Sequence, residues 1–393
     1  MLSDEVLEKL SERLVNRIES LNTYMIKKLG EQIKNIGSLI PSQLREVLQS
    51  LKYGNDLDDI ANKLAEITNL NVKDIYDIFE EIAKNSQHYA KQFYDYRNIK
   101  FVPYDENDFL QEQVKALAKI TANEYVNISN TLAFARTDEN GQIYFTDLSE
   151  TYQQVIDEAI LSAAQGRESF NSAMRKTMRE LTSSGIRTVN YKSGYHKRLD
   201  SAVRMNILTG VNSLHNELQE QFGKEFGADG IEISHHQAPA PDHSSNEKNG
   251  WYDIDGRQFS LKEFEKINSS LNRHIGELNC NHQTARIVLG ISKPLYSEEQ
   301  LKADKEANEK GFEFQGKHYT NYEGTQLQRK IETEIRKCKD RQIGAKAMGD
   351  MEEVYNCQKK ISELTQTYKE LSDISGLPTK IERLQVEGYR KAK

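Results

Sequence analysis

Apolar positions in the first hundred residues recur with the 3.6-residue period of amphipathic helices. Two stripes show this most clearly, Val6, Leu10, Leu14 and Ile18 in the first and Ile75, Ile78, Phe79 and Ile82 in the second. Asn71 precedes the second stripe and predicts an N-cap, because an asparagine side chain accepts a hydrogen bond from the first helical turn. A further helix is predicted from Phe109 to about Arg136. Residues 1–140 are therefore predicted to form a helical N-terminal domain.

The pattern changes at DENGQIYFTD, where Asn140-Gly141 predicts a tight turn that feeds a short strand. Beyond it, the spacing predicts helices over 148–165 and 169–183, the second closed by Gly185. IRTVNY alternates weakly and predicts a strand. A long helix is then predicted from His196 to Phe226. Residues 141–230 therefore form a predicted helical middle region.

IEIS, from Ile231 to Ser234, predicts a strand that leads into a polar, loop-rich stretch. Residues 231–300 are accordingly predicted to form a small α+β module. The remainder, 301–393, reads as a charged helical arm, with two long helices between Gly324 and Ser375 and a break near Gly344 or Gly349. The predicted fold class is mostly α with a small α+β, loop-rich module.

Net charge, the length of apolar runs and the number of cysteines limit the classes of function that the chain can have. The 393-residue chain carries a formal net charge of −7, which does not suit bulk binding of nucleic acid. A local reversal of charge occurs in QLQRKIETEIRKCKDRQIGAK. It indicates a solvated helix face with pairs such as Glu332–Arg336, or alternatively an arm that lies along packaged DNA or an acidic protein surface. No run of 18 apolar residues occurs, so no membrane span is predicted. Three cysteines are too few for a disulfide framework and indicate a reducing compartment.

Six of the nine histidines lie between His215 and His282, together with the only tryptophan, Trp251. Imidazole and thiolate are ligands that suit zinc, and four residues form the candidate metal set, namely His235, His243, Cys280 and His282, with His236 as a further donor. The spacing is unusual, because a single residue separates Cys280 from His282 where structural zinc pairs have two to four. Zinc is the one cofactor that the sequence suggests.

Two other interpretations of the same stretch stay open. A Cys–His pair can form an activated nucleophile, with Asp242 to orient the histidine, although no known catalytic motif accompanies it. Alternatively, the stretch is a structural module in which WYDI forms a strand between the Asn249-Gly250 and Asp255-Gly256 turns. Trp251 would then anchor a small core, or else lie exposed and bind a partner. The two turns and the aromatic pair Trp251-Tyr252 favour the structural interpretation.

The order of these motifs resembles the phage minor capsid protein 2 family of tailed phages that infect Gram-positive bacteria. The resemblance rests on Ser234-His235, then Ala240-Pro241-Asp242-His243, Asn249-Gly250-Trp251-Tyr252 and Asn279-Cys280-Asn281-His282. It extends upstream through GIRTVNYKSGYHKRLDSAVRMNILTGVNSL and downstream through LGISKPLYSEEQL and YTNYEGTQLQRKIETEIRKCK. A more distant likeness is to the head-morphogenesis proteins encoded beside phage portal proteins.

The resemblance implies a non-enzymatic structural protein of the virion, assembled in the bacterial host cytoplasm, with the portal protein and the major capsid protein as partners. It assigns no catalytic residue. The chain departs from the family at Ala238-Pro239-Ala240, where the family tends to have Gly-Ala-Arg, and at Asn281, where it tends to have arginine. A role at the portal in head assembly, and in genome packaging or ejection, is expected. The alternative is a zinc-dependent hydrolase or nuclease that uses the histidine and cysteine cluster.

Overall fold

The structure, a computed structural model, describes residues 4–37, 54–137, 142–148, 150–151, 154, 157, 170–190, 195–236, 238, 254–271, 274–276, 280 and 282–389. His243 and Trp251 lie outside these residues, as do all of the predicted WYDI strand except Ile254 and most of the helix predicted over 148–165. Statements about these features therefore stay predictions.

Five helices build the body of the molecule: α1 (Asp4–Gly37), α2 (Gly54–Arg97), α3 (Asp108–Ser129), α4 (Phe170–Ser184) and α5 (Leu199–Phe226). Helix α5 lies centrally and contacts α1, α2 and α3. Its predicted apolar face, Val203, Ile207, Val211 and Leu214, is buried in the main hydrophobic core. Gly210 permits this packing, because a Cβ there would lie 2.3 Å from Thr121 Oγ1.

The N-cap predicted at Asn71 is wrong, because α2 continues through this residue without a break. The Asn71 side chain is fully buried and donates to Tyr125 Oη at 2.7 Å and to the Leu14 carbonyl at 3.1 Å. It also accepts from Arg17 Nη1 at 2.7 Å. The amide thus ties α2 to α1 and α3, and these tertiary bonds satisfy a side chain that would otherwise favour a helix start.

The first sheet has strand order β2-β1-β3-β4, with β1 at Leu132–Thr137, β2 at Ile143–Asp147, β3 at Ile186–Asn190 and β4 at Tyr195–Arg198. Strands β1 and β2 are antiparallel, with Ala135 opposite Phe145, so the predicted strand after the turn is confirmed. The helix predicted to reach Arg136 is wrong at its end, since α3 stops at Ser129. Gly185 closes α4 with φ +63°, as predicted.

The second sheet is small and antiparallel, with order β6-β5-β7: β5 at Gly230–Ile233, β6 at Gln258–Ser260 and β7 at Thr284–Ile287. Helix α6 (Leu261–Ser270) follows β6 and starts with a capping box between Ser260 and Glu263. Strand β7 lies against α5. This sheet supports the predicted α+β module over 231–300, which is called the polar module below.

The C-terminal part begins with α7 (Glu298–Lys310) and the hairpin β8-β9 (Phe312–Phe314 and Lys317–Tyr319). Two long antiparallel helices follow, α8 (Asn321–Met348) and α9 (Met351–Ser375). The break lies at Gly349, which has φ +78°, and not at Gly344. Gly344 stays helical and lets α8 approach α4, because a Cβ there would lie 2.7 Å from Met178 Sδ.

The fold class is confirmed: the described chain is mostly helical, with small antiparallel sheets and long C-terminal helices. The main hydrophobic core extends from Leu14 on α1 to Ile343 on α8, so it joins parts of the chain assigned to different predicted segments. The boundaries at residues 140, 230 and 300 stay predictions about independent folding. No helix within the described ranges is long and apolar enough to cross a membrane.

Candidate functional site

The second sheet brings the two histidine-containing blocks together. Ile233 lies opposite Thr284 in the β5–β7 register, so the residues just after β5 and just before β7 share one end of the sheet. The pairing continues beyond the strands, because Ser234 N donates to the Gln283 carbonyl at 2.9 Å and Gln283 N donates to Ser234 Oγ at 2.9 Å. His235 and His282 are therefore neighbours, although 46 residues separate them.

Asp255 is the centre of the site. Its carboxylate accepts a hydrogen bond from His282 Nε2 at 2.8 Å, from the His236 backbone N–H at 3.0 Å, and from His235 Nδ1. The Asp255-Gly256 turn places it there, since Gly256 has φ +72° and a Cβ at this position would lie 2.5 Å from Leu301 Cδ2. Burial alone would raise the pKa of Asp255, but the two histidines outweigh it and lower the pKa to about 2. Asp255 is thus ionised at neutral pH.

His235 connects the module to helix α7. Its second ring nitrogen, Nε2, lies 2.8 Å from Asp304 Oδ2 on that helix. Burial lowers the pKa of His235, whereas the bonds to Asp255 and Asp304 raise it, and the net direction is upward. Carboxylates can only accept, so both ring nitrogens of His235 carry hydrogen in this arrangement. The edge of the Tyr296 ring packs on the His235 ring, with centroids 5.4 Å apart.

His282 and Cys280 form the inner part of the site. His282 Nδ1 lies 3.4 Å from Cys280 Sγ, and both side chains are almost fully buried. The His236 ring stands edge-on to His282, with centroids 4.3 Å apart. Asn212 on α5 donates to the Cys280 carbonyl at 2.9 Å. Thiol, imidazole and carboxylate are therefore aligned in one buried chain from Cys280 to Asp255.

A fourth histidine bonds to β7 from helix α5. His215, on α5, lies with Nε2 2.6 Å from the Thr284 carbonyl. Burial lowers the pKa of His215 to about 4, so the ring is neutral at physiological pH and donates from Nε2. Helix α5 thus holds the Cys280 carbonyl through Asn212 and the strand that follows through His215.

The structure describes three of the four residues in the predicted metal set. His235, Cys280 and His282 are brought close together, but His243 lies outside the described residues. Both ring nitrogens of His235 contact carboxylates, which makes it a connecting residue in this arrangement. Among the residues that the structure describes, no group of three or more histidine, cysteine or acidic side chains is arranged to hold a metal ion. Zinc binding by the full set remains a prediction.

Asp255 and Asp304 are the two site residues that sequence reasoning missed. Asp255 was visible as half of a predicted turn, and Asp242 was considered in its place as the partner of a histidine. Nothing in the sequence near Asp304 distinguishes it from the other acids of a charged helix. Its role follows only from the contact between α7 and His235, two residues after the end of β5.

The basic residues of α8 bind mostly within the chain. Arg336 donates to Glu19 at 3.0 Å and Asp200 at 2.8 Å, and Arg341 donates to Ser183 at 3.2 Å. Lys339 Nζ lies 4.8 Å from the centroid of the Tyr389 ring. These three cations contribute to the packing of α8, whereas Arg329, Lys330 and Lys346 are exposed.

The site is thus a buried histidine–aspartate network at one end of a small three-stranded sheet, and long helices carry that sheet. Comparison with known protein families gives a match: the family described as "Phage minor capsid protein 2" matches residues 2–373 of the chain. The chain belongs to this family of bacteriophage minor capsid proteins. No curated protein and no solved structure matches it.

Proposed function

We propose that the chain is a low-copy structural component of the phage head that lies at the portal and binds the portal protein and the major capsid protein. The observation that carries this proposal is the family match over residues 2–373, which spans both the helical body and the polar module. The protein would be assembled in the bacterial cytoplasm and retained in the virion. A contribution to genome packaging or ejection would follow from its position at the portal.

The polar module serves as a structural connection in this proposal. His235, Asp255 and His282 bond to one another, to backbone and to α7, and together they hold loops that a three-stranded sheet alone would not fix. Buried polar groups need such partners, because an unpaired one costs about 1–3 kcal/mol. We therefore assign the network to shape and stability and no catalytic step to it.

Two helices expose pairs of large apolar side chains that a protein partner would cover. On α3, Phe109 and Ile120 are 66% and 65% exposed, and eleven residues, about three turns, place them on one face. On α9, Met351 and Tyr355 are 69% and 70% exposed and lie one turn apart. Aromatic and large apolar residues are the typical centres of protein interfaces. The engagement of the α8 cations within the chain favours a protein surface over DNA as the partner.

The test is co-purification with the portal protein of the same phage. Wild-type protein is expected to bind, and one of two double variants, Phe109→Ser with Ile120→Ser or Met351→Ser with Tyr355→Ser, is expected to lose binding at least tenfold. Each double variant is the matched control for the other, since both remove exposed apolar area without disturbing the core. Failure of the wild-type protein to bind portal or major capsid protein contradicts the proposal.

A further inference from the structure

Five charged side chains meet where α1, β4, α5 and α8 come together. Three are acids and two are arginines, and they are called here the buried carboxylate cluster: Glu19, Arg198, Asp200, Arg336 and Asp340. They line a cavity of about 20 Å³, which also contacts Asn22 and Val386. The exposed fractions of the side chains are 16% for Glu19, 7% for Asp200 and 16% for Arg336, so solvent screens them weakly.

The two arginines donate hydrogen bonds to two of the three carboxylates. Arg336 Nη1 donates to Glu19 Oε1 at 3.0 Å and to Asp200 Oδ2 at 2.8 Å. Arg198 Nε donates to Asp200 Oδ1 at 3.4 Å. Asp200 is thus held by both cations, and Glu19 by one that it shares.

Asp340 has a different environment. Asp340 is only 4% exposed. Among the described residues, its carboxyl group receives one hydrogen bond, from the neutral amide of Asn22 at 3.0 Å. The other atom of that amide, Asn22 Oδ1, is buried and accepts no hydrogen bond from the described part of the chain. Rotation of the amide by half a turn would present Oδ1 to Asp340, where a protonated carboxyl could donate to it. The pair therefore suits a neutral acid.

The charges do not balance if every group is ionised. Three carboxylates face two guanidinium groups, which leaves one negative charge in a poorly solvated site. Two further ions act on the cluster and add one charge of each sign: Arg204, which donates to Ser11 at 3.1 Å, attracts Asp200, and Glu332, which accepts from Tyr368 at 2.9 Å and lies 3.8 Å from Arg383, attracts Arg336. An unbalanced buried charge is costly, and a side chain neutralises by changing its protonation state.

We propose that the buried carboxylate cluster takes up one proton on folding, carried by Asp340 or Glu19, and acts as a pH-sensitive clamp that holds α8 to α1 and α5. The clamp is closed when the cluster is neutral. Loss of the proton above neutral pH leaves an uncompensated negative charge between these helices and weakens their packing.

The titration behaviour agrees in direction with this geometry. Burial raises the pKa of Asp340 from its usual 3.8 to about 7, against the opposing effect of both arginines. Burial and the Asp200 charge likewise raise the pKa of Glu19, to about 7. The pKa of Asp200 is lowered to about 2, because attraction to Arg336 and Arg198 outweighs burial. Asp200 is therefore the ionised partner of the arginines.

The sign of the pH effect follows. Between about pH 4 and pH 7 the unfolded chain has lost the Asp340 proton and the folded chain has kept it. The folded state then binds more protons, so its stability falls as pH rises across this interval and levels off above it. The stabilisation from the Asp340 proton is complete below the pKa of this carboxyl in the unfolded chain. It is lost as pH rises through the pKa of about 7 in the folded protein.

The experiment measures thermal unfolding of the full chain between pH 4.5 and pH 8.5 for wild type, Asp340→Asn, Glu19→Gln and the double variant. In Asp340→Asn, the number of protons released on unfolding, read from the pH slope of stability, should fall by ~1. The melting temperature of this variant should rise at pH 8.5 but not at pH 5. Glu19→Gln should act in the same direction. The double variant should melt below both single variants, because it leaves two arginines facing Asp200 alone. Asp59→Asn, which removes an exposed acid paired with Lys28, is the control and should not change the pH slope.

Unchanged linkage in both single variants, with equal losses of stability at pH 5 and pH 8.5, would show an ordinary ion-pair network and overturn the proposal. A gain in wild-type stability at pH 8.5 on replacing choline chloride by sodium chloride, absent in Asp340→Asn, would assign the balancing charge to a metal cation instead. Infrared spectra give an independent measurement if a variant folds poorly. The wild-type protein at pH 6 should show a buried protonated carboxyl band that disappears by pH 8.5, and a band absent at pH 6 contradicts the clamp.

Discussion

Replacement of Asp255 by asparagine tests whether the polar module depends on its central carboxylate. The change keeps the size of the side chain and removes the charge that His235, His282 and the His236 amide all contact. An asparagine offers one acceptor oxygen in place of two. Its NH2 group would face a histidine N–H, so at least one buried donor loses its partner.

The expected loss can be estimated in two ways. A hydrogen bond to a charged group contributes about 1.5–3 kcal/mol, and loss of one such bond with weakening of another gives about 2–4 kcal/mol. Independently, the folded protein lowers the pKa of Asp255 from its usual 3.8 to about 2, a preference for the ionised form of about 2 kcal/mol. We therefore expect Asp255→Asn to lower the free energy of unfolding of the module by about 2–4 kcal/mol at neutral pH.

Urea unfolding at pH 7, followed by fluorescence of the single tryptophan and by far-UV circular dichroism, measures this loss. Asp304→Asn is the matched control, since it removes the same charge from the same network at a side chain that is 25% exposed and contacts only one His235 nitrogen. Its cost should stay below about 1 kcal/mol, as for partly exposed ion pairs. Equal costs for the two variants, or an Asp255→Asn cost below about 0.5 kcal/mol, would refute the role given to Asp255.

Three further predictions concern the domain boundary near residue 140, the role of Trp251 and the binding of zinc. Limited proteolysis should cut first near Pro103 or Asn140 if residues 1–140 form a separable domain, whereas early cuts spread through α5 would contradict that boundary. Trp251→Ala should unfold the module over 231–292 at a cost of about 3–5 kcal/mol while the helical far-UV signal persists, and solvent-exposed tryptophan emission from the native protein would argue against an anchor. Elemental analysis should find about one zinc per chain, lost in Cys280→Ser and His243→Ala, if the four-residue set binds metal. Zinc at background level would remove both the set and the hydrolase alternative.

Helical periodicity predicted the architecture well because it reports which face of each segment is buried. The apolar face of α5 and the closing glycine of α4 were both found as expected. The errors occurred where tertiary contacts override local preference. Asn71 has the local character of an N-cap, yet it serves as a buried link among three helices. The end of α3 was placed too late, because the strand that follows it gains its stability from pairing with β2 and β3.

The candidate site was predictable only as a neighbourhood. The clustering of rare residues singles out His235, Cys280 and His282 in the sequence, and the pairing of β5 with β7 brings their chain segments together. The acids that organise them were not predictable, because Asp304 comes from a helix 69 positions along the chain from His235. The buried carboxylate cluster was equally hidden: its members are spread from residue 19 to residue 340, and each resembles an ordinary surface charge in the sequence.

We propose above that this minor capsid protein is a structural part of the phage head at the portal. Quantitative mass spectrometry of purified heads, combined with chemical crosslinking, tests it most directly. The account predicts the chain in every preparation at far lower copy number than the major capsid protein, with crosslinks to the portal protein. A chain that is absent from purified heads and remains in the soluble lysate, or that crosslinks to neither portal nor major capsid protein, would contradict it.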